Sequence, residues 1–218
     1  MSCCTFAPVR RTTALVLTAA ALLPAGAAVG FAGAAAPQPK LMALTREDVG
    51  HVAYVEGEGA TTAGPIPALR GYKRTFTGLT PGSVQALSIE DTVLVGKTPA
   101  AAAKAVSSLV AASSTQAGLD RLYDQSAKAF AALADSPITK GGVIRARAMR
   151  AGDGAAEVVF RFTTADGAAT QVGRLVVSVG GTLSVITWEG HMPGLSPATT
   201  RQFALAAATR MRAAAGSA

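Results

Sequence analysis

The sequence predicts an α+β domain, an antiparallel sheet with helices packed on it. A strand meander near residues 143–189 forms the centre of that sheet, and a C-terminal helix near 197–214 closes the chain. Three observations carry this. Four strand-like runs, "VIRARAMRA", "AEVVFRFTT", "ATQVGRLVVSV" and "TLSVITWEG", follow one another with turn formers between them. Alanine-rich runs at 97–135 and after Ser196 carry apolar residues at helical spacing. At 218 residues and 50% hydrophobic, the chain suits one domain with its own core.

The opening reads as an export signal. "MSCCTFAPVRR" is basic, residues 12–36 carry no charge, and Ala34-Ala35-Ala36 fits the small-residue cleavage rule. Cleavage after Ala36 would leave Pro37 first, so Ala28 and Ala35 are alternative cut sites. Uncleaved, residues 12–36 would serve as an anchor, although Ala, Gly, Thr and Pro24 make a weak membrane helix. Arg10-Arg11 fits a twin-arginine signal poorly. Cys3 and Cys4 precede the apolar run, so a processed chain has no cysteine and therefore no disulfide, thiolate metal site or cysteine nucleophile. Residues 37–44 read as a linker, leaving 45–218 as a single α+β domain.

Thr45 with Asp48 approximates a capping box for a short helix carrying His51. "GEGATTAGPIPALRG" reads as a Gly/Pro-rich loop, and "YKRTFTG" and "SVQALSIEDTVLVG" as strands. Thr98 caps the next helix, with Pro99 at its first position, and Val106, Leu109 and Val110 share a face. Leu119, Leu122, Tyr123, Phe130 and Leu133 make a second stripe, with Pro137 and Gly141-Gly142 marking its exit. Ser196 caps the last helix and Pro197 starts it, with Phe203, Ala207 and Met211 as its packing stripe.

Within the meander, a two-residue Asp166-Gly167 turn would pair Thr164 with Ala169. A three-residue loop at 180–182 keeps apolar opposite apolar, pairing Val177 with Val185, and is preferred to a two-residue turn. One face then carries Val158, Phe160, Phe162, Leu175, Val177, Val179, Leu183 and Val185. The other carries Glu157, Arg161, Arg174, Ser178, Ser184, Ile186 and Trp188.

Several chemistries find little support. There is no Gly-x-Ser-x-Gly, the only histidine bases are His51 and His191, and Ser196 is already a helix cap. A metal site would need both histidines to converge with Glu189 or Asp48, or His191 to pair with Met192; neither has ligand spacing. Glu56 and Glu58 sit in a Gly-rich stretch, a poor frame for glycosidase geometry, and "GEGATTAG" lacks the lysine of a phosphate loop. No cofactor is expected. Without Arg10 and Arg11 the chain has 18 basic against 13 acidic residues, a net of +5, scattered too widely for a nucleic-acid site.

What remains is a candidate binding surface. With Arg174 opposite Trp188, a cation–π contact would sit beside Arg161 and Ile186, with His191 just beyond. Exposed, this face would suit an envelope lipid, a wall polymer or a membrane protein; covered by a helix, it would be a second core.

"LRGYKRTF" resembles a Gly-Tyr-x-Arg-x-Phe strand, "ALSIEDTVLVGKTPAAAAKAVSSL" a strand feeding an alanine-rich helix, "QVGRLVVSVGGTLSVITWEG" a Gly-Arg-Val-Val hairpin, and "ATTRQFALAAATRMRA" a closing helix. In that order, over about residues 70–214, they resemble secreted PsbP-like domains of high-GC Gram-positive bacteria, including extracellular kinase sensor domains and related lipoproteins. The resemblance implies a non-catalytic cell-envelope domain that binds or senses an envelope ligand or partner, secreted or held outside the cytoplasm. It fixes no ligand residue, and the lipoprotein cysteine is missing. A secreted hydrolase with an unorthodox site and a membrane-anchored structural or assembly partner are the alternatives.

Overall fold

The computed structural model describes residues 38–50, 54–77, 86–132, 137–191 and 194–216. The expected export signal, His51, Leu133 and Met192 lie outside them. Two single-turn helices, α1 (Pro39–Met42) and α2 (Arg46–Val49), precede strands β1 (Tyr54–Ala60), β2 (Ala68–Thr77) and β3 (Ala86–Gly96). Helices α3 (Pro99–Ser113) and α4 (Gln116–Ala131) follow. The meander is β4 (Ile138–Met149), β5 (Gly154–Thr164), β6 (Ala169–Val179) and β7 (Thr182–His191), and α5 (Pro197–Gly216) ends the chain.

The strands form one seven-stranded sheet in the order β1-β2-β3-β7-β6-β5-β4, antiparallel throughout. The α3–α4 hairpin carries the chain from β3 to the far edge, and the meander returns until β7 pairs with β3. The α+β class and the closing helix stand as expected from the sequence.

Helices cover both faces. On one, α1 and α5 pack with Phe76, Ile89, Val159, Leu175, Val177, Ile186 and Trp188. On the other, α3 covers Leu94, Val176, Leu183 and Val185, while Phe130 of α4 stacks on Phe162 with ring centroids 4.9 Å apart. Cap positions match the sequence signals. Ser196 Oγ accepts the amide of Thr199 and the Asp48 carboxylate returns to the amide of Thr45, whereas Thr98 occupies the N-cap position of α3 without a side-chain cap hydrogen bond.

Four expectations need correction. Residues 38–44 are no linker, because Met42, Ala43 and Leu44 are buried in the core under α5. The Gly-rich stretch begins as a strand: residues 57–60 belong to β1, where Gly59 faces Lys73 and Glu58 faces Arg74. Gly141-Gly142 lies inside β4, and a Cβ on Gly141 would reach to 3.0 Å from Tyr123 Cε2, so the glycine gives the tyrosine of α4 its seat.

The fourth is register. β5 and β6 are joined by a three-residue loop at 165–167. Its Gly167 takes φ 84° after a Gly167 N–H to Thr164 C=O turn bond, and Thr163 pairs with Ala169. β6 and β7 are joined by the two-residue Gly180-Gly181 turn, with Gly180 at φ 55° and Val179 opposite Thr182. Both expected registers were one residue off, so β6 is inverted relative to both neighbours. The criterion of apolar opposite apolar could not detect this. Leu175 and Val177 are buried on one face, Val172 and Val176 on the other, and both faces carry helices.

Candidate functional site

The inversion of β6 takes the expected surface apart. Trp188 is 2% exposed and Ile186 fully buried, both in the core that Phe203, Ala204, Ala207, Ala208 and Met211 of α5 roof over. The residue opposite Trp188 is Gly173, and the indole lies against it. Its Nε1 finds no hydrogen-bond partner, so the ring serves as packing volume. Arg174 is opposite Thr187 and on the other side of the sheet, so no Arg174–Trp188 stacking exists. Arg161 is exposed on β5 opposite Gln171, and His191 ends β7 opposite Thr170. The five residues do not form one surface.

Beneath α1, the same face holds a buried polar frame. Asp91 of β3 is fully buried; its Oδ2 accepts the Leu44 amide at 2.7 Å and its Oδ1 the Ser184 hydroxyl at 2.8 Å. Burial pushes its carboxyl up to about 6, against the pull of those two hydrogen bonds and of Arg74. Arg74 donates to the Leu44 carbonyl at 2.7 Å and to Glu58 at 2.9 Å. Hydrogen bonds from Tyr72 and Arg74 hold Glu58 down at about 2. The partners of these groups come from the strap at 38–48 and from β1, β2 and β7, so the frame reads as structural clamping. Buried Glu157 does the same work at the other edge, binding Arg145 at 2.9 Å and Arg147 at 2.6 Å beneath the start of α5.

The other face holds something the sequence reading missed. The registers align Thr75, Glu90, Thr187 and Arg174 as one lateral row across β2, β3, β7 and β6. Lys73 and Thr92 stand in the row nearer α3, and Glu189 in the row beyond. Under α3 this face packs Leu94, Leu183, Val185 and Val176. Glu90 is only 8% exposed. Its Oε1 takes the Thr92 hydroxyl at 3.4 Å, a long contact. Its Oε2 has Lys73 Nζ at 3.3 Å as an ion pair but no hydrogen bond. No hydrogen bond engages the side chains of Thr75 and Thr187 among the described residues, whereas Arg174 and Glu189 both have partners. Desolvation pulls the Arg174 guanidinium below its usual range.

Of the residues expected at a site, only Arg174 belongs to this strip. A signal for the rest was present: polar residues recur at every second position in "YKRT", "IEDT" and "TWE". What hid it was a face assignment that put Arg174 with Trp188. Chemically the strip offers acceptors, donors and two-way hydroxyls on rigid strands. Among the described residues no three His, Cys, Asp or Glu side chains gather as a metal site would need. No protein-family model matches the chain, and no curated protein is detectably similar to it.

Proposed function

We propose that the chain is an exported cell-envelope domain that binds its ligand without transforming it, and that the ligand seats on the Thr75–Glu90–Thr187–Arg174 strip. The observation that carries the strip is Glu90, a recessed carboxylate with one oxygen lacking a hydrogen bond, flanked by two unengaged hydroxyls. Polar groups facing a helix-covered side of a sheet cost free energy unless partners complete them. Threonine and glutamate at these positions, where valine or leucine would pack, are explained by a ligand that supplies the missing donors. Export rests on the basic, apolar and Ala-rich opening of the chain. The resemblance to secreted PsbP-like domains supports the same reading, as does the order of elements that carries it. The absence of cysteine beyond residue 4 suits a domain stable without disulfides outside the cytoplasm.

The test uses the processed protein immobilised and exposed to solubilised envelope fractions, beside Glu90→Gln and Thr187→Val variants. Retention of a lipid, glycan or protein by the native domain, reduced in both variants, is the expected result. Equal retention by all three removes the strip from the account. A panel of ester, peptide and glycoside substrates tests the hydrolase alternative: turnover lost in Glu90→Gln would overturn the non-catalytic reading.

A further inference from the structure

We infer that the cleft between the β4–β5 turn and α5 seats the phosphate of an anionic phospholipid headgroup and so docks the domain on an anionic membrane surface. This site is separate from the strip and does not depend on it. The cleft has a volume of about 410 Å³, within the range of about 300–1,000 Å³ usual for small-molecule sites. It is open, because Arg150, Leu205, Thr209 and Arg212, which line it, are all exposed. The turn at 150–153 forms one wall and is fixed in shape. Gly152 takes φ 61°, and a Cβ there would collide with the Ser178 carbonyl. The Asp153 amide donates to that carbonyl at 2.8 Å, and the Asp153 carboxylate accepts the Gly180 amide at 2.6 Å. From the opposite wall, Arg212 donates Nη2 to the Gly152 carbonyl at 3.0 Å, which holds its guanidinium at the cleft.

Charge and shape point to the ligand class. Arg150 has no hydrogen-bond or ion-pair partner among the described residues, and Arg212 has none beyond Gly152. Asp153 is the one acid lining the cleft, and it is turned to Gly180, so the cleft keeps a positive excess. Neither β4 nor α5 contains an acidic residue. Two guanidiniums from opposite walls, with the Thr209 hydroxyl between them in the chain, suit an anion whose oxygens point several ways. A phosphate is such an anion, whereas a planar carboxylate is satisfied by a single guanidinium fork. The lipid is favoured by Leu205, a large apolar side chain left 45% exposed. At helical spacing it shares one stripe of α5 with Arg201 and Arg212. An apolar side chain flanked by arginines fits the boundary between headgroups and acyl chains, and would gain nothing from a free phosphate in water.

The test is vesicle co-sedimentation of the chain from residue 37, which keeps every described residue. The vesicles are phosphatidylcholine alone and phosphatidylcholine with an equal part of phosphatidylglycerol. The native domain is expected to bind the mixed vesicles and not the neutral ones. Arg150→Gln should weaken that binding about fivefold, the usual worth of one basic residue at an anionic surface. Leu205→Ser should weaken it as well, while Lys104→Gln, which removes an exposed charge from α3, should have less than about a twofold effect. Arg150 has no partner to lose, so its variant should keep the native urea midpoint. No binding to the mixed vesicles, or equal binding by Arg150→Gln, would overturn the inference. An equal loss in Lys104→Gln would also overturn it, by showing attraction to net charge alone. Soluble glycerophosphoglycerol that shifts the Thr209 methyl and binds as tightly as the vesicles would replace the membrane surface with a free anion.

Discussion

Gly173→Ala is the sharpest probe of the register of β6 against β7. A Cβ at Gly173 would overlap Cζ2 and Cε2 of the Trp188 ring and stand 2.6 Å from Cη2. Carbon atoms settle at about 3.5–4.0 Å, so the ring must retreat by roughly 1 Å or more. It has nowhere to go: Ile89 and Ile186 beside it are fully buried, and Phe203 of the covering helix is 2% exposed. Overpacking of this kind costs about 1–3 kcal/mol, and a rigid bicyclic ring in a closed core belongs near the upper end, about 3 kcal/mol. With a urea m-value of about 2 kcal/mol/M, the unfolding midpoint should fall by about 1.5 M. Trp188 is the only tryptophan, so its emission reports both the unfolding and the ring's native surroundings. If Arg174 were the residue opposite Trp188, Gly173 would point to the other face and alanine there would be nearly silent. A midpoint within about 0.3 M of the native protein, with an unchanged emission maximum, would refute the reasoning.

Three other perturbations follow from the same geometry. Asp91 titrates near 6 in the folded protein against 3.8 for an aspartate free in water, so its contribution to stability is complete below about pH 3.8 and is lost as pH rises through about 6. Asp91→Asn keeps an acceptor for the Leu44 amide, so denaturation curves should show the variant gaining on the native protein by up to about 3 kcal/mol between about pH 4 and pH 7.5; a difference independent of pH would contradict this. Leu44→Ala should cost about 2–4 kcal/mol in urea unfolding because Leu44 is fully buried, whereas a free linker would show no effect. Glu157→Gln leaves Arg145 and Arg147 facing an uncharged amide at a fully buried position; a loss of about 2–3 kcal/mol should lower Tm by roughly 5–10 °C, and an unchanged melt would remove the pair from the structural account.

Element type was legible where local signals agreed. Proline at the first helical position and serine or threonine before it placed α3 and α5, and alternation placed β5, β6 and β7 within a residue or two. Register was less legible because both faces of the sheet are buried. Val172, Val176, Leu175 and Val177 satisfy either orientation of β6, so only the turns could decide. Gly180 and Gly167 each accommodate a positive φ, but Gly180 does so in a two-residue turn and Gly167 in a three-residue one, the reverse of the expectation. The strip was hidden by that one inversion, since Arg174 joins Glu90 and Thr187 only when β6 is turned over. The burial of 42–44 had no periodic signal at all; it depends on Asp91 and Arg74, which meet the backbone of Leu44 from distant strands.

The most direct test sets the two faces of the same strands against each other. Thr75, Thr92 and Thr187 present their methyls on the α3 side, and Ile89 and Ile186 lie in the core on the α5 side. With both residue types methyl-labelled, the domain would be titrated with the component it retains from envelope fractions. The threonine methyls are expected to shift and saturate while the Ile89 and Ile186 methyls and Trp188 emission hold still. Shifts confined to Ile89, Ile186 and Trp188, with the threonines unmoved, would contradict a ligand seat on the strip.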